Sequence, residues 1–260
     1  MKTNQNEQKV KELYEKYPYP LRADHSKEQI IYFAKWVAKI FGETEKYWKG
    51  KSVLELGCGT GELAIALALS GASVKGVDFS NSAIKNARNL AKKSGTAKKT
   101  SFVLKNILNI KENEFGKKFD SVIALGSLHH TTNAKKGFEI ACEQTKTNGL
   151  VIIGLYNKYS RAKHRAKRIM IQLLAGEDIE KRIKIGAKFF GSTGNLTKDA
   201  DKYGQVYETY HSISEVKKWF KENNIEYISS KPAFVTPRID EIKWLLEGKE
   251  AFFVMVGRKR

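Results

Sequence analysis

Val53-Leu54-Glu55-Leu56-Gly57-Cys58-Gly59-Thr60-Gly61 decides how this chain is read. A short apolar strand delivers an acidic residue and then a glycine-rich turn, which opens into a helix over residues 62–70. Glycines suit that turn because it needs unusual φ values and because a ligand must approach bare backbone. A second strand, residues 72–77, ends in Asp78, placed to hold the two hydroxyls of a ribose. The pattern predicts a nucleoside cofactor, and the glycine spacing narrows it. A dinucleotide fingerprint reads G-x-G-x-x-G and leaves a helix N-terminus open for pyrophosphate. Here Glu62 stands where the third glycine would be, and the motif reads G-x-G-x-G. A carboxylate there repels pyrophosphate and suits a ligand carrying a positive ammonium and sulfonium. Glu55 adds a second carboxylate on the same side.

Strand and helix alternate outward from this motif. Ser80 caps a helix through about residue 91, with Ala83, Ile84, Ala87 and Leu90 at helical spacing. Strands are predicted at 101–104 and 119–125, a helix at 133–145, and an Asn148-Gly149 turn leading into a fifth strand at 150–155. The alternation argues for an α/β fold with a doubly wound, mostly parallel sheet. It breaks between Tyr156 and His211, then resumes with a helix at 214–222, strands near 226–230 and 251–257, and a short helix at 240–246 between them. Four segments follow: a helical N-terminal lid over 1–48, a core over 49–157, a basic, mostly helical insertion over 158–211, and completion of the core over 212–260.

With 260 residues and 41% hydrophobic content, the chain can bury a sizeable core. No apolar run reaches the roughly 18 residues that span a bilayer. The polar N-terminus carries no secretory signal pattern. Two cysteines make neither a disulfide framework nor a zinc site, so a cytoplasmic location is expected and no metal. The net charge of +19 admits a polyanion partner, although lysine, which greatly outnumbers arginine, is the less specific phosphate ligand.

The run E-L-G-C-G-T-G, followed by V-D-F-S, resembles the class I S-adenosylmethionine (SAM)-dependent methyltransferases. The resemblance covers residues 50–157 well and 212–258 loosely, and it implies a Rossmann-like, seven-stranded sheet. It places Glu55 near the ammonium of SAM, with Gly57, Cys58, Gly59 and Gly61 closing around the same end. Asp78 is expected on the ribose and Phe79 beside the adenine. Asn106 stands where the family often has an acid contacting the adenine amine; its carbonyl oxygen can still accept that bond. Ile107 is expected on the ring, and Leu125 and Gly126 beside the reactive methyl.

Ser127-Leu128-His129-His130-Thr131 follows the fourth strand, and L-H-H there resembles methyltransferases acting on small molecules, including those of quinone biosynthesis. His130, and after it His129, are candidate proton acceptors; the competing reading is that they only fix the loop. No N-P-P-Y or D-P-P-Y follows the fourth strand, and neither cysteine sits where 5-methylcytosine enzymes hold their nucleophile. Tyr14, Tyr17-Pro18-Tyr19-Pro20 and the helix with Phe33, Trp36 and Val37 resemble a lid. Tyr17, Tyr19, Tyr156 and His211 are candidate acceptor contacts.

The expected activity is methyl transfer from SAM to a small-molecule acceptor. The alternatives are an RNA (tRNA or rRNA) methyltransferase and a SAM-binding partner protein without turnover. The insertion opens with Lys158, Arg161, Lys163, His164, Arg165, Lys167 and Arg168, followed by an apolar run over 169–174. It admits an acidic membrane surface, RNA phosphates, or simple packing of the apolar side on the core. Acceptor identity and oligomeric state are not readable from these residues.

Overall fold

A computed structural model describes residues 2–18 and 26–260. In chain order its principal elements are α1 Lys2–Lys16, α2 Lys27–Ile40, β1 Ser52–Leu56, α3 Glu62–Leu69, β2 Ser73–Asp78, α4 Asn81–Lys93 and β3 Thr100–Leu104. These are followed by β4 Phe119–Leu125, α5 Ala134–Gln144, β5 Thr145–Tyr156, α6 Ala162–Ala175, α7 Ile179–Phe190 and α8 Leu196–Asp199. The chain finishes with α9 Ile213–Glu222, β6 Ile225–Lys231, α10 Pro237–Glu247 and β7 Phe252–Lys259. The strands form one seven-stranded sheet in the order β3-β2-β1-β4-β5-β7-β6. Its first five strands pair in parallel, and β7 runs antiparallel to both β5 and β6. This is the Rossmann-like doubly wound arrangement expected from the sequence.

Strand alternation divides the core into two apolar layers. Leu54, Leu56, Val122, Ala124, Val151 and Ile153 face one side, with Phe138, Val216 and Phe220 from α5 and α9. Val53, Ile123, Ile152 and Val254 face the other, with residues of α2, α3 and α4. Ala64 to Ala68 of α3 are all buried, because α2 covers the side that would otherwise meet water. The indole of Trp48 donates to the Ala34 carbonyl at 3.0 Å and fastens α2 to the chain entering β1.

Two local expectations change. The predicted turn at Asn148-Gly149 is a kink inside β5, which begins pairing at Thr145 opposite Phe119 and shifts register before Leu150. Asn148 takes φ +63°, and a Cβ on Gly149 would lie 3.0 Å from the Asp120 carbonyl. The helix after β6 is longer than expected and starts at Pro237, whose missing N–H costs nothing in a first helical turn.

The insertion is helical, built from α6, α7, α8 and a π turn, Ala200–Gly204. Gly186 of α7 lets the Tyr203 ring approach; a Cβ there would lie 2.3 Å from Tyr203 Cγ. The reading in which the apolar run of α6 packs on the core is overturned. Ile169 and Leu173 are 59% and 80% exposed, Met170 and Leu174 are exposed beside them, and only Ile171 and Ala175 turn inward. Among the described residues, no helix is long and apolar enough to cross a membrane.

α1 bridges core and insertion. Glu15 accepts from the backbone N–H groups of Asn81 and Ser82 at the start of α4, while Leu13 packs with Ile183 and Ala200. Lys9 and Lys16 pair with Glu177 and Glu180.

Candidate active site

A cavity of about 540 Å³ lies over the C-terminal ends of β1, β2 and β4, roofed by α1, α2 and the π turn. This is the crevice where strand order reverses between β1 and β4, the place an open α/β sheet offers a ligand.

The glycine turn is held from below. The N–H groups of Gly57 and Cys58 both donate to the Val77 carbonyl, at 2.7 and 3.0 Å. Gly57 has φ +76°, and a Cβ on it would fall 2.2 Å from Ser127 Cβ. Ser127 in turn donates to the Leu56 carbonyl at 2.6 Å, locking the loops after β1 and β4 together. Asp78 accepts from Gly59 N at 2.8 Å through one oxygen and from Ser80 N at 2.9 Å through the other. Burial raises its pKa against the pull of these bonds.

Glu55 is more exceptional. Its side chain is buried, Oε2 has no hydrogen-bond partner, and burial, then the Asp78 charge, push its pKa well above the usual carboxylate range. Five carboxylates, Glu7, Glu55, Glu62, Asp78 and Asp201, line the cavity among the described residues, with no lysine or arginine. Such a site rejects phosphates and accommodates a cation.

Of the residues expected on the cofactor, Glu55, Gly57, Cys58, Gly59, Asp78, Phe79, Asn106, Ile107, Leu125 and Gly126 line the cavity. Gly61 does not. It heads α3 with φ +84°, and a Cβ there would lie 2.8 Å from Ala87 Cβ, so it brings α3 close to α4. The carbonyl of Asn106 is already engaged, accepting from Leu108 N at 2.9 Å, and its amide donates to Glu7 Oε2 at 3.0 Å.

The two histidines separate. His130 lines the cavity, and its Nδ1 lies 3.4 Å from the Tyr207 carbonyl. Burial lowers its pKa, opposed in part by the Asp201 and Glu208 carboxylates. His129 is fully buried and absent from the lining; its ring lies 3.8 Å from that of Tyr156, with neither nitrogen hydrogen-bonded. Burial drives its pKa well below the usual imidazole value.

Tyr156 lines the cavity, whereas His211 does not. His211 is held between Thr209 Oγ1 at 2.8 Å and Glu215 Oε1 at 3.0 Å and packs on Trp219. Tyr17 faces a separate surface hollow beside Glu177 and Glu180. Tyr19 lies outside the described residues.

Glu7, Asp201 and Phe252 line the cavity without having been anticipated. Only Phe252 had a readable signal: it opens the last strand, opposite Tyr156, and Gly154 makes room for its ring. Asp201 accepts from Tyr14 Oη and Gln205 Nε2, both at 3.2 Å.

Much of the basic head of α6 points inward. Glu208 pairs with Arg168 at 2.7 Å and Arg161 at 3.5 Å, and the His164 ring lies 3.6 Å away. Burial would raise the Glu208 pKa, but the arginines outweigh it and hold the group ionised. Arg161 also lies 3.5 Å over the Tyr156 ring, and burial pushes His164 down to about 4.

The sequence pattern of a family described as a methyltransferase domain matches residues 48–224. The chain belongs to that family. The methyltransferase uses SAM as its methyl donor. It is 26% identical over 187 residues to the ubiquinone biosynthesis O-methyltransferase of Shewanella pealeana, covering 69% of this chain and 75% of the relative. It is 26% identical over 207 residues to the protein of that name from Rickettsia conorii, covering 80% of this chain and 62% of the relative. In fold, it resembles the magnesium protoporphyrin IX methyltransferase of Synechocystis PCC 6803 crystallised with SAM (TM-score 0.55, 13% identity, 99% and 93% of the two chains). PKMT2 of Rickettsia typhi in complex with AdoHcy gives a TM-score of 0.67 at 14% identity, over 94% of this chain and 55% of that one.

Proposed function

We propose that the methyltransferase transfers a methyl group to a hydroxyl oxygen of a small, largely apolar acceptor held beneath α1 and the helical insertion. The carrying observation is the cavity lining: among the described residues, five carboxylates without a lysine or arginine, grading into Phe33, Trp36, Val37, Tyr156 and Phe252. The unpartnered Oε2 of Glu55 fits the ammonium of SAM, and Asp78, fixed by two backbone bonds, fits the ribose hydroxyls. Gly57, Cys58 and Gly59 present backbone to the methionine end, Phe79 and Ile107 flank the adenine, and Leu125 and Gly126 border the methyl. Bound SAM supplies an electrophilic methyl on a good leaving group, so the chain's task is alignment and removal of a proton. His130, kept neutral by burial and with Nδ1 turned to the Tyr207 carbonyl, accepts the acceptor's hydroxyl proton at Nε2. The names of the relatives support oxygen as the acceptor atom.

Calorimetry with SAM tests the donor site: the wild type binds, and Asp78→Ala loses binding by about a hundredfold or more. No binding by folded wild type overturns the reading. His130→Ala should lower turnover about 10²- to 10⁴-fold while leaving SAM affinity nearly intact.

A partner reading follows from α6. Its outward face joins Ile169, Met170, Leu173 and Leu174 to Lys163, Arg165 and Lys167. That combination suits an acidic membrane surface better than RNA, and it would bring the cavity to a lipid-soluble acceptor. Flotation with anionic vesicles, lost in Ile169→Glu/Leu173→Glu, tests it; equal flotation of the double variant refutes it. A cytoplasmic location is proposed with it, in keeping with the unpaired thiols of Cys58 and Cys142.

A further inference from the structure

The donor site proposed above has a gap at the adenine edge. The loop after β3 is where a side chain can meet the base, and this chain places Asn106 there. Its only acceptor atom, Oδ1, takes the Leu108 N–H at 2.9 Å and so caps the short turn Ile107–Asn109. With Oδ1 turned to the Leu108 N–H, the atom that Asn106 sets beside Glu7 is its amide donor. A donor does not match the exocyclic amine of adenine, itself a donor.

That amide is met by a carboxylate. Glu7 Oε2, from α1, accepts from Asn106 Nδ2 at 3.0 Å, and Glu7 Oε1 accepts from Thr132 Oγ1. The two bonds come from loops after β3 and β4 and fix the carboxylate in orientation. Glu7 lines the cavity beside Asn106, Ile107 and Phe79, the residues proposed to flank the base. A carboxylate has about four lone-pair sites, and each oxygen of Glu7 has one filled by these bonds.

We infer that Glu7 is the acceptor for the exocyclic amine of the donor's adenine, so that α1 completes the cofactor site rather than merely covering it. This inference rests on the proposed placement of SAM. Asn106 and Thr132 act as positioning residues for the carboxylate. Binding of the donor and docking of α1 then become one event, with Glu15 holding the other end of the helix to α4.

The test compares S-adenosylhomocysteine with its 6-deamino analogue, in which hydrogen replaces the amine, by calorimetry on the full chain. The wild type should prefer the amine-bearing ligand about 10- to 100-fold, the range for a hydrogen bond to a charged acceptor. Glu7→Ala should bring that preference to near unity. Glu15→Gln loosens α1 away from the base, so it should weaken both ligands alike and leave the preference intact. A Glu7→Ala variant that keeps the wild-type preference overturns the inference, as does a wild type that does not discriminate. A folded wild type that binds neither ligand instead overturns the donor site on which the inference rests.

Discussion

Glu55→Gln should stabilise the protein in the absence of ligand, by an amount that pH sets. An unfolded glutamate loses its proton near 4.5, whereas burial and the Asp78 charge keep the folded Glu55 protonated well above that. Between those two values the folded state holds a proton that the unfolded state has released. Stability therefore falls as pH rises, by about 1.4 kcal/mol per pH unit for one proton, and levels off above the folded pKa. Glutamine has no such term. The gap between variant and wild type should thus open by up to about 1.4 kcal/mol for each pH unit above the unfolded value, or about 2–6 °C in Tm per unit for a domain of this size, until the folded carboxyl itself titrates. Thermal and urea unfolding of both proteins across that range measures it. The same carboxyl should lose its proton when a cationic ligand arrives. SAM binding by the wild type should release a proton, seen as a dependence of the binding heat on buffer ionisation enthalpy, and this should be weaker in Glu55→Gln. Stability curves that run parallel from pH 5 to pH 7 would refute the reasoning.

Two further outcomes follow from the site's packing. Gly57→Ala should abolish SAM binding with the sheet retained by circular dichroism, because the new Cβ would meet Ser127 at 2.2 Å on a backbone with φ +76°. His129→Phe should ease acid destabilisation. The buried imidazole stays neutral while the unfolded one takes a proton near 6.5, so wild-type stability is lost as pH falls below that value. The phenylalanine variant should lack this loss, and a variant with an unchanged acid limb would count against the argument.

The sheet was legible because buried parallel strands announce themselves as apolar runs, and the glycine turn with Asp78 marked the cavity's floor. The roof was harder. Glu7 sits in a polar helix that carries no mark of function, and its partner Asn106 lies 99 residues away. Nothing in the adjacent His129 and His130 says which one faces the cavity; the short turn Leu128–His130 decides it by rotating one ring inward against Tyr156. The Asn148-Gly149 pair reads as a turn because both residues tolerate positive φ, yet β4 pairs with the chain before the kink at Thr145 and again from Leu150, where β7 joins on the other side. Charge counting misled in the insertion. Arg161, Arg168 and Arg182 point inward, the first two to Glu208 and the last to the carbonyls of Gly176 and Gln205, so part of the +19 never reaches the surface.

α1 is fastened to the sheet side through Glu15 and to the insertion through Tyr14, Leu13 and the lysine–glutamate pairs. A strap tied at both margins sets a clock as well as a wall. With the donor placed as proposed, its spent form should leave only when at least one margin lets go, so helix release should contribute to the slow step of steady-state turnover. The lysine–glutamate ties at the insertion margin are exposed and yield to salt, whereas the Glu15 tie grips backbone N–H groups. Leu13, in buried packing, and Tyr14, through its bond to Asp201, hold the insertion margin as well, so raising ionic strength should loosen the helix only in part, a response that turnover measured against salt concentration would reveal.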